Sequence, residues 1–326
     1  MTMKPFAYAR ATSVAEALAA LDGDCRPLAG GTDLVGLMKE GLAAPDRLVD
    51  IKRVDGLDRI DAREDGWQVG AAVRLFQLST WAIAADGDGL ACLAAAIEQT
   101  ASPQIRHMAT LGGNLLQKPR CWYYRNPRTH CWLKGGPRCF AVRGDNRYHA
   151  ILGRGVCQAV HASDPAVALV ALDAQVTVAS AEGERTFPLA TLFQQPTVES
   201  RSQVALGPAE LVTRVWIPRP APGARGAYIK ATERTAWDFA LVSVAAQVTE
   251  MDGVIQGARV VLGGVGPMPW VADEAAEALI GNGLTDEAIE QASEAATVGA
   301  RPLEHNGIKV VQAQGAVREA LEHLRG

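Results

Sequence analysis

Four of the six cysteines in this 326-residue chain fall within one stretch, CWYYRNPRTHCWLKGGPRCFAVRGDNRYHAILGRGVC, at Cys121, Cys131, Cys139 and Cys157. Nine, seven and seventeen residues separate them. Around them stand nine cations (Lys118, Arg120, Arg125, Arg128, Lys134, Arg138, Arg143, Arg147 and Arg154) and a single acid, Asp145. The segment carries +8 in a chain of net charge -4, which leaves -12 for the remainder. Six aromatic residues are interleaved: Trp122, Tyr123, Tyr124, Trp132, Phe140 and Tyr148. Three chemistries suit such a block: a metal centre held by four thiolates, a cationic nucleic-acid surface with stacking rings, or four structural thiols unrelated to one another. The C-x2-4-C knuckles of structural zinc sites are absent, cysteines do nothing to neutralise phosphate, and the clustering argues against unrelated roles.

Two glycine loops form a second candidate site. LAGGTDL runs from Leu28 to Leu34 and TLGGNLL from Thr110 to Leu116. Paired glycines let backbone approach a ligand closely, and successive free N–H groups make a concavity for a phosphate. Thr32, Asp33 and Asn114 then supply polar side chains for a ribose or pyrophosphate. Gly-Gly alone also makes an ordinary turn. Neither G-x-G-x-x-G nor G-x-x-x-x-G-K-[ST] occurs, so Rossmann and P-loop sites are not supported.

The elements that position these residues are legible in outline. Ser13-Val14-Ala15-Glu16 fits a capping box at the start of a helix through about Leu21. RPLAGG reads as a strand entering a glycine turn, RLVDIK and WQVGAAV as further strands, and LACLAAAIEQTA as a buried helix. The N-terminal half therefore predicts an α/β arrangement. PAVALVALDAQVTVAS predicts a helix and then a strand, and IPRPAPGARG a linker in which proline and glycine deny ladder hydrogen bonds. Beyond it, two strands flank Asp252-Gly253, a hairpin turn, and three amphipathic helices follow.

Composition narrows the function. The chain is 48% hydrophobic and 21% charged, as an ordinary globular protein is. No run of about 18 uncharged apolar residues and no basic, apolar leader is present, so neither a membrane span nor an export signal is expected. Six cysteines are too sparse for a disulfide-stapled domain. Reduced thiols and a cytoplasmic setting are the expectation, with periplasmic residence open if a partner subunit carries the signal. Cys25 and Cys92 read as packing residues, and none of the histidines is assigned to metal.

AGGTDL with its following helix, ASPQIRHMATLGGNLL, HASDPAVALVALDA and YIKATERTAWDFALVSVAA, in that order, resemble the FAD-binding medium subunit of molybdenum hydroxylases. This is the xanthine dehydrogenase and carbon monoxide dehydrogenase flavoprotein family. The resemblance extends to LGGVGPMPW and the closing RPLEHNGIKVV. It implies an α+β protein: a p-cresol methylhydroxylase-type FAD domain of two α/β subdomains over residues 1–217, a linker at 218–226, and a CO dehydrogenase flavoprotein C-terminal domain over 227–326. By the same resemblance, Leu28, Ala29, Gly30, Gly31, Thr32, Asp33 and Leu34 would wrap the FAD pyrophosphate. Thr110, Gly112, Gly113 and Asn114 would form the second FAD loop. Ser163 and Asp164 would contact the ribityl or adenosine side, and Lys230 would sit near the flavin ring. The plain alternatives are a helix N-terminal residue for Asp164 and a solvated strand lysine for Lys230.

The cysteine block interrupts this flavin frame at residues 118–157, between Asn114 and Asp164. Its spacing is similar to the branch whose inserted loop holds a 4Fe-4S cluster, which includes the medium subunits of aldehyde oxidoreductases and of 4-hydroxybenzoyl-CoA reductase. CWLKGG stands where some of those members have C-N-K-x-P-G-S-G-C. The resemblance implies that Cys121, Cys131, Cys139 and Cys157 hold one cluster, whose anionic thiolate shell the nearby cations would offset. It also implies a heterotrimer in which a 2Fe-2S small subunit and a molybdopterin-binding large subunit deliver electrons to the flavin. A ferredoxin-like acceptor would then be drawn to the cationic block, and neither nucleic acid nor membrane is an expected partner. The alternatives are a stand-alone flavin oxidase of the vanillyl-alcohol type and a structural zinc in place of the cluster.

Overall fold

The computed structural model describes residues 3–85, 89–153 and 155–325; Arg154, one of the nine cations counted above, lies outside them. The chain opens with strand β1 (Ala7–Arg10) and helix α1 (Val14–Ala20), which Ser13 caps by accepting the Glu16 N–H at 3.1 Å. The capping box is only half formed. The Glu16 carboxylate takes both the N–H and the hydroxyl of Thr12 at 2.8 Å, because that residue offers it two donors at once. Strands β2 (Cys25–Leu28) and β3 (Arg47–Asp50), with helix α2 (Leu34–Lys39) between them, complete a parallel three-stranded sheet in the order β1-β3-β2. The glycine turn after β2 lies at the carboxyl end of this sheet.

Strict α/β alternation ends there. Strands β4 (Ile60–Arg63), β5 (Gly66–Gly70), β6 (Gln175–Ser180), β7 (Gly183–Pro188) and β8 (Leu211–Pro218) form an antiparallel sheet, ordered β4-β5-β8-β6-β7. Here β5 pairs with β8, so this sheet closes only when the two ends of the domain meet. Helices α3 (Leu75–Ala84) and α4 (Ala91–Glu98) follow β5. After them come the short α5 (Pro103–Arg106), α6 (Leu111–Leu115) and α7 (Trp122–Arg125), then α8 (Asp164–Ala171). Every residue of α8 is buried, and Leu75, Leu78, Leu93, Ile97 and Leu169 share its core. The cysteine-rich insertion between α6 and α8 has no strand among its described residues. It is built from α7 and two single 3-10 turns, Trp132–Lys134 and Phe140–Val142.

The C-terminal domain pairs β9 (Ala224–Ala231), β10 (Val242–Met251), β11 (Val254–Gly263) and β12 (Trp270–Val271) as β12-β11-β10-β9. Asp252 and Gly253 turn the β10–β11 hairpin at φ 53° and 78°, as a two-residue turn of this type requires. Helices α9 (Asp273–Leu279), α10 (Asp286–Ala295) and α11 (Ile308–Arg325) cover the sheet. The linker is tighter than the proline and glycine content predicts. Ile217 and Pro218 still pair with β5, and Ala224 already pairs with β10, which leaves only residues 219–223 outside the ladders. The two domains also share a core, since Tyr228, Ala245 and Val261 of the second belong to the apolar cluster of the first. Among the described residues no helix is long and apolar enough to cross a membrane.

One side chain of α11 departs from the amphipathic pattern. Lys309 is 1% exposed, has no carboxylate partner among the described residues, and donates to the carbonyls of His149 (3.0 Å) and Gly264 (2.5 Å). Burial pulls its ammonium down from 10.5 to about 7. The unfolded chain therefore holds this proton through a range of pH where the folded chain has released it. Stability accordingly rises with pH between about 7 and 10.5, and the cost of the buried charge is fully present below that window. Denaturant unfolding of wild type and Lys309→Met across this range should show wild type gaining on the variant by roughly 1.4 kcal/mol per pH unit. Parallel curves for the two proteins would contradict a buried, titrating Lys309.

Candidate functional site

The two glycine loops face one cleft of about 720 Å³, lined by Leu28 through Leu34 on one side and by Thr110, Gly112 and Gly113 on the other. Close backbone approach explains the residue types. A Cβ on Gly30 would stand 1.8 Å from the Met108 carbonyl oxygen, and Gly31 has φ 71°. Among the described residues, the N–H groups of Gly30, Gly31, Thr32 and Asp33 donate to no protein acceptor, so they remain open to an anion in the cleft. Thr110 caps α6 by accepting from the Gly113 N–H at 3.3 Å. Asn114 points away from that cap and accepts from the Ser163 hydroxyl at 2.5 Å, which ties the second loop to the start of α8.

Asp33 has partners that its place in a glycine loop does not reveal. Its carboxylate accepts from the Lys118 N–H at 2.8 Å and from Arg125 at 2.8 Å, and pairs with Arg120 at 3.0 Å. The carboxylate is 14% exposed and the Arg125 guanidinium 15%, so the pair is largely shielded. The cleft loop and the cysteine insertion are thus clamped together. Segment 117–124 runs between two cavities, with Gln117, Lys118 and Tyr124 facing the cleft and Arg120, Cys121 and Trp122 facing a second cavity of about 330 Å³.

That second cavity lies where the domains meet. Ser163 and Asp164 form one wall, Cys121 and His149 another, and Asp238 and Phe239 of the β9–β10 loop a third. The Asp164 carboxylate accepts from Tyr228 (2.8 Å), Lys230 (2.9 Å) and Thr100 (3.3 Å). The Lys230–Asp164 pair is almost wholly buried, at 2% and 6% exposure, and Lys230 also donates to the carbonyls of Gln99 and Asp238. Lys230 therefore stands behind Asp164 rather than in solvent. Burial and the adjoining carboxylate push the Tyr228 phenol up, so it stays protonated and donates. His161 is internal as well: its Nε2 lies 3.1 Å from the Leu115 carbonyl and its ring packs edge-on against Phe193.

All four cysteines of the insertion line one small void of about 10 Å³, walled by Tyr123, Tyr124, Trp132 and Phe140. Cys131 and Cys157 are buried, and Cys121 and Cys139 half-buried. Burial raises the Cys121 thiol to about 11 and the Cys157 thiol to about 12, and in each the charge of the neighbouring cysteines adds to the effect. Among the described residues no three His, Cys, Asp or Glu side chains stand close enough together to hold a single metal ion. His149 Nε2 lies 3.2 Å from Cys121 Sγ, a neighbour that cysteine spacing does not disclose. Of the cations, Arg120 and Arg125 face Asp33 and Arg147 faces Asp145, while Arg128, Arg138 and Arg143 are exposed. The balancing charge is therefore fewer than nine.

A cofactor-sized cleft between paired glycine loops within the first domain, with a second cavity at the seam to the C-terminal domain, suits a flavoprotein, and the comparisons agree. Residues 4–220 match the FAD binding domain in molybdopterin dehydrogenase, and residues 227–309 match the CO dehydrogenase flavoprotein C-terminal domain. The chain is 36% identical to the aldehyde oxidoreductase FAD-binding subunit PaoB of Escherichia coli (strain K12), over 99% of each chain. It is 29% identical to the carbon monoxide dehydrogenase medium chain of Afipia carboxidovorans, over 88% of this chain and 84% of that one. The fold matches that of a reconstituted CO dehydrogenase from Oligotropha carboxidovorans with a TM-score of 0.79 and 25% identity, covering 100% of this chain and 99% of that one. The chain belongs to the FAD-binding medium subunits of the molybdenum hydroxylase family, the group of the CO dehydrogenase and aldehyde oxidoreductase flavoproteins. It is an FAD-binding subunit of a multi-subunit oxidoreductase.

The Asp33 clamp is open to direct test. Asp33→Ala removes the carboxylate that Arg120 and Arg125 share, leaving Arg120 its Gln117 acceptor and Arg125 the Lys118 and Pro119 carbonyls, and should cost about 1–2 kcal/mol in unfolding free energy. Limited proteolysis of the variant should cut first within residues 118–157. A variant as stable and as protease-resistant as wild type would show that the insertion is held by other contacts.

Proposed function

We propose that this chain is the electron-transfer subunit of a molybdenum-containing aldehyde oxidoreductase-type complex and holds one FAD and one 4Fe-4S cluster. Its partners would be a 2Fe-2S small subunit and a molybdopterin-binding large subunit. The FAD pyrophosphate would lie against residues 28–34, where the open N–H groups of Gly30 to Asp33 supply donors, with Thr110, Gly112, Gly113 and Asn114 forming the second loop. Ser163 and Asp164, with Lys230 behind them, would bound the flavin's other end. The flavin supplies two-electron uptake and one-electron release. This chain's own residues bind and orient it, so no acid/base pair is needed here.

One observation carries the cluster reading: Cys121 belongs both to the void shared by the four thiols and to the cavity that Ser163 and Asp164 face. Two redox centres would then share a wall. The donor set fits in kind, since a 4Fe-4S cluster takes one thiolate for each of its four iron atoms. A structural zinc would draw the same thiolates toward one point, and metal analysis separates the two. The void is about the size of one water molecule. Assembly therefore asks the thiols to stand farther apart, and they sit on turns rather than on ladder-bound strands. Because Cys121 and Cys157 hold their protons tightly, assembly releases protons and is favoured by rising pH. Arg128, Arg138 and Arg143 would present a cationic face to an acidic acceptor such as a ferredoxin-like protein.

Anaerobic purification with iron, sulfide and flavin analysis tests this reading. Wild type should carry about four iron atoms and one flavin per chain. Cys131→Ser should lose iron and retain flavin. Flavin without iron in wild type, or zinc in place of iron, would overturn the cluster. Turnover with an acidic protein acceptor should fall as ionic strength rises, and a salt-independent rate would exclude steering by the insertion.

A further inference from the structure

His149 lies in the NRYHAILG stretch, between the third and fourth cysteines, and is 2% exposed. Its ring fits edge-on to Trp122, with centroids 5.3 Å apart, and Tyr123 flanks it at 6.1 Å. Nε2 is 3.2 Å from Cys121 Sγ, whereas Nδ1 has no hydrogen-bond partner in the protein. A neutral imidazole carries one N–H proton. With Cys121 bound to metal as a thiolate, a proton on Nδ1 would be a buried, unanswered donor, and the Nε2 lone pair would face an electron-rich sulfur. On Nε2 it meets an acceptor. Among the described residues no other thiol of the four receives a side-chain hydrogen bond.

The ring is held in place by its backbone. The His149 N–H donates to the Asn146 carbonyl at 2.9 Å, and its carbonyl accepts from Asn306 at 3.1 Å and from Lys309 at 3.0 Å. Asn146 and Asn306 are both fully buried, and Asn146 in turn accepts from the His305 N–H at 3.0 Å. Thus the RPLEHNGIKVV stretch of the C-terminal domain fixes a residue beside the insertion's first cysteine. If packing alone were required, a phenyl ring would serve equally well among Trp122, Tyr123 and Tyr148. Only an imidazole adds a donor aimed at sulfur.

We propose that His149 is a positioning residue that donates a hydrogen bond from Nε2 to the Cys121 sulfur and thereby raises the reduction potential of the cluster bound there. The proposal rests on the cluster reading of the insertion. Hydrogen bonds to cluster sulfurs are among the levers that set these potentials. A donor draws electron density from the thiolate and so stabilises the more negative, reduced state. The effect falls on the one corner of the cluster site that also borders the cavity assigned to the flavin, the point where a change in driving force acts on transfer between the centres.

The test is a redox titration of the 4Fe-4S signal by electron paramagnetic resonance on the purified full-length protein in its complex, with the flavin midpoint as internal reference. His149→Phe, with iron content equal to wild type, should titrate at a lower potential, and His149→Gln, which restores an N–H donor, should move back toward wild type. An unchanged midpoint in His149→Phe with full iron content overturns this inference and leaves the cluster reading standing. Wild type without iron overturns both. Should His149→Phe lose its iron, wild type labelled with 15N-histidine decides: a nitrogen hyperfine coupling to the reduced cluster supports the hydrogen bond, and its absence refutes it.

Discussion

The fold turns on a buried charge. Asp164 and Lys230 meet at 2.9 Å in the seam between the domains, and both are sealed from water. An isolated ion in such a place costs several kcal/mol, so each is tolerable only while the other is present. Tyr228 and Thr100 take the remaining carboxylate positions, and the Gln99 and Asp238 carbonyls take the remaining ammonium protons. Through this one knot, α4, α8, β9 and the β9–β10 loop are held in a single arrangement. The cavity beside Asp164 inherits its shape from that arrangement. A shared apolar core supplies the area at the junction, and the ion pair supplies the geometry.

Around this seam the remaining polar ties are local in effect and distant in sequence. Asp33 reaches the insertion's entry, and Asn306 with Lys309 reaches its exit. Asn114 meets Ser163 across the insertion that separates them. Each tie pairs a charged or amide side chain with backbone, a hydroxyl or a guanidinium, and such interactions fix position more than they add stability. Among its described residues the insertion has no ladder of its own, so these ties, with Arg201 on the Trp132 and Gly136 carbonyls and the Val265 carbonyl on the Ile151 and Leu152 N–H groups, help to determine where its thiols stand.

Much of the frame was legible from residue patterns. The glycine turn after β2, the Asp252–Gly253 hairpin, the buried α4 and α8 and the three C-terminal helices all follow from periodicity and turn chemistry. Strands β1 and β4 were not anticipated, being four residues long with partly exposed faces and no clean alternation. The pairing of β5 with β8 depends on residues far apart in the chain, which no local pattern encodes. The same limit applies at the site. The glycine loops could be picked out and do share a cleft, but the partners of Asp33 and the cavity beside Asp164 exist only after folding. His149 was visible as a lone histidine and unremarkable until the backbone brought it to Cys121.

The ties at the two ends of the insertion have a consequence for how such a segment can be gained or moved. A loop secured by its own strands can be transplanted as a unit. Residues 118–157 instead borrow their anchors from the host: a carboxylate in the cleft loop and an amide and an amine at the start of the last helix. Transfer to another medium subunit would require those anchors to travel with it, so the transferable module is a discontinuous set of residues spread over both domains.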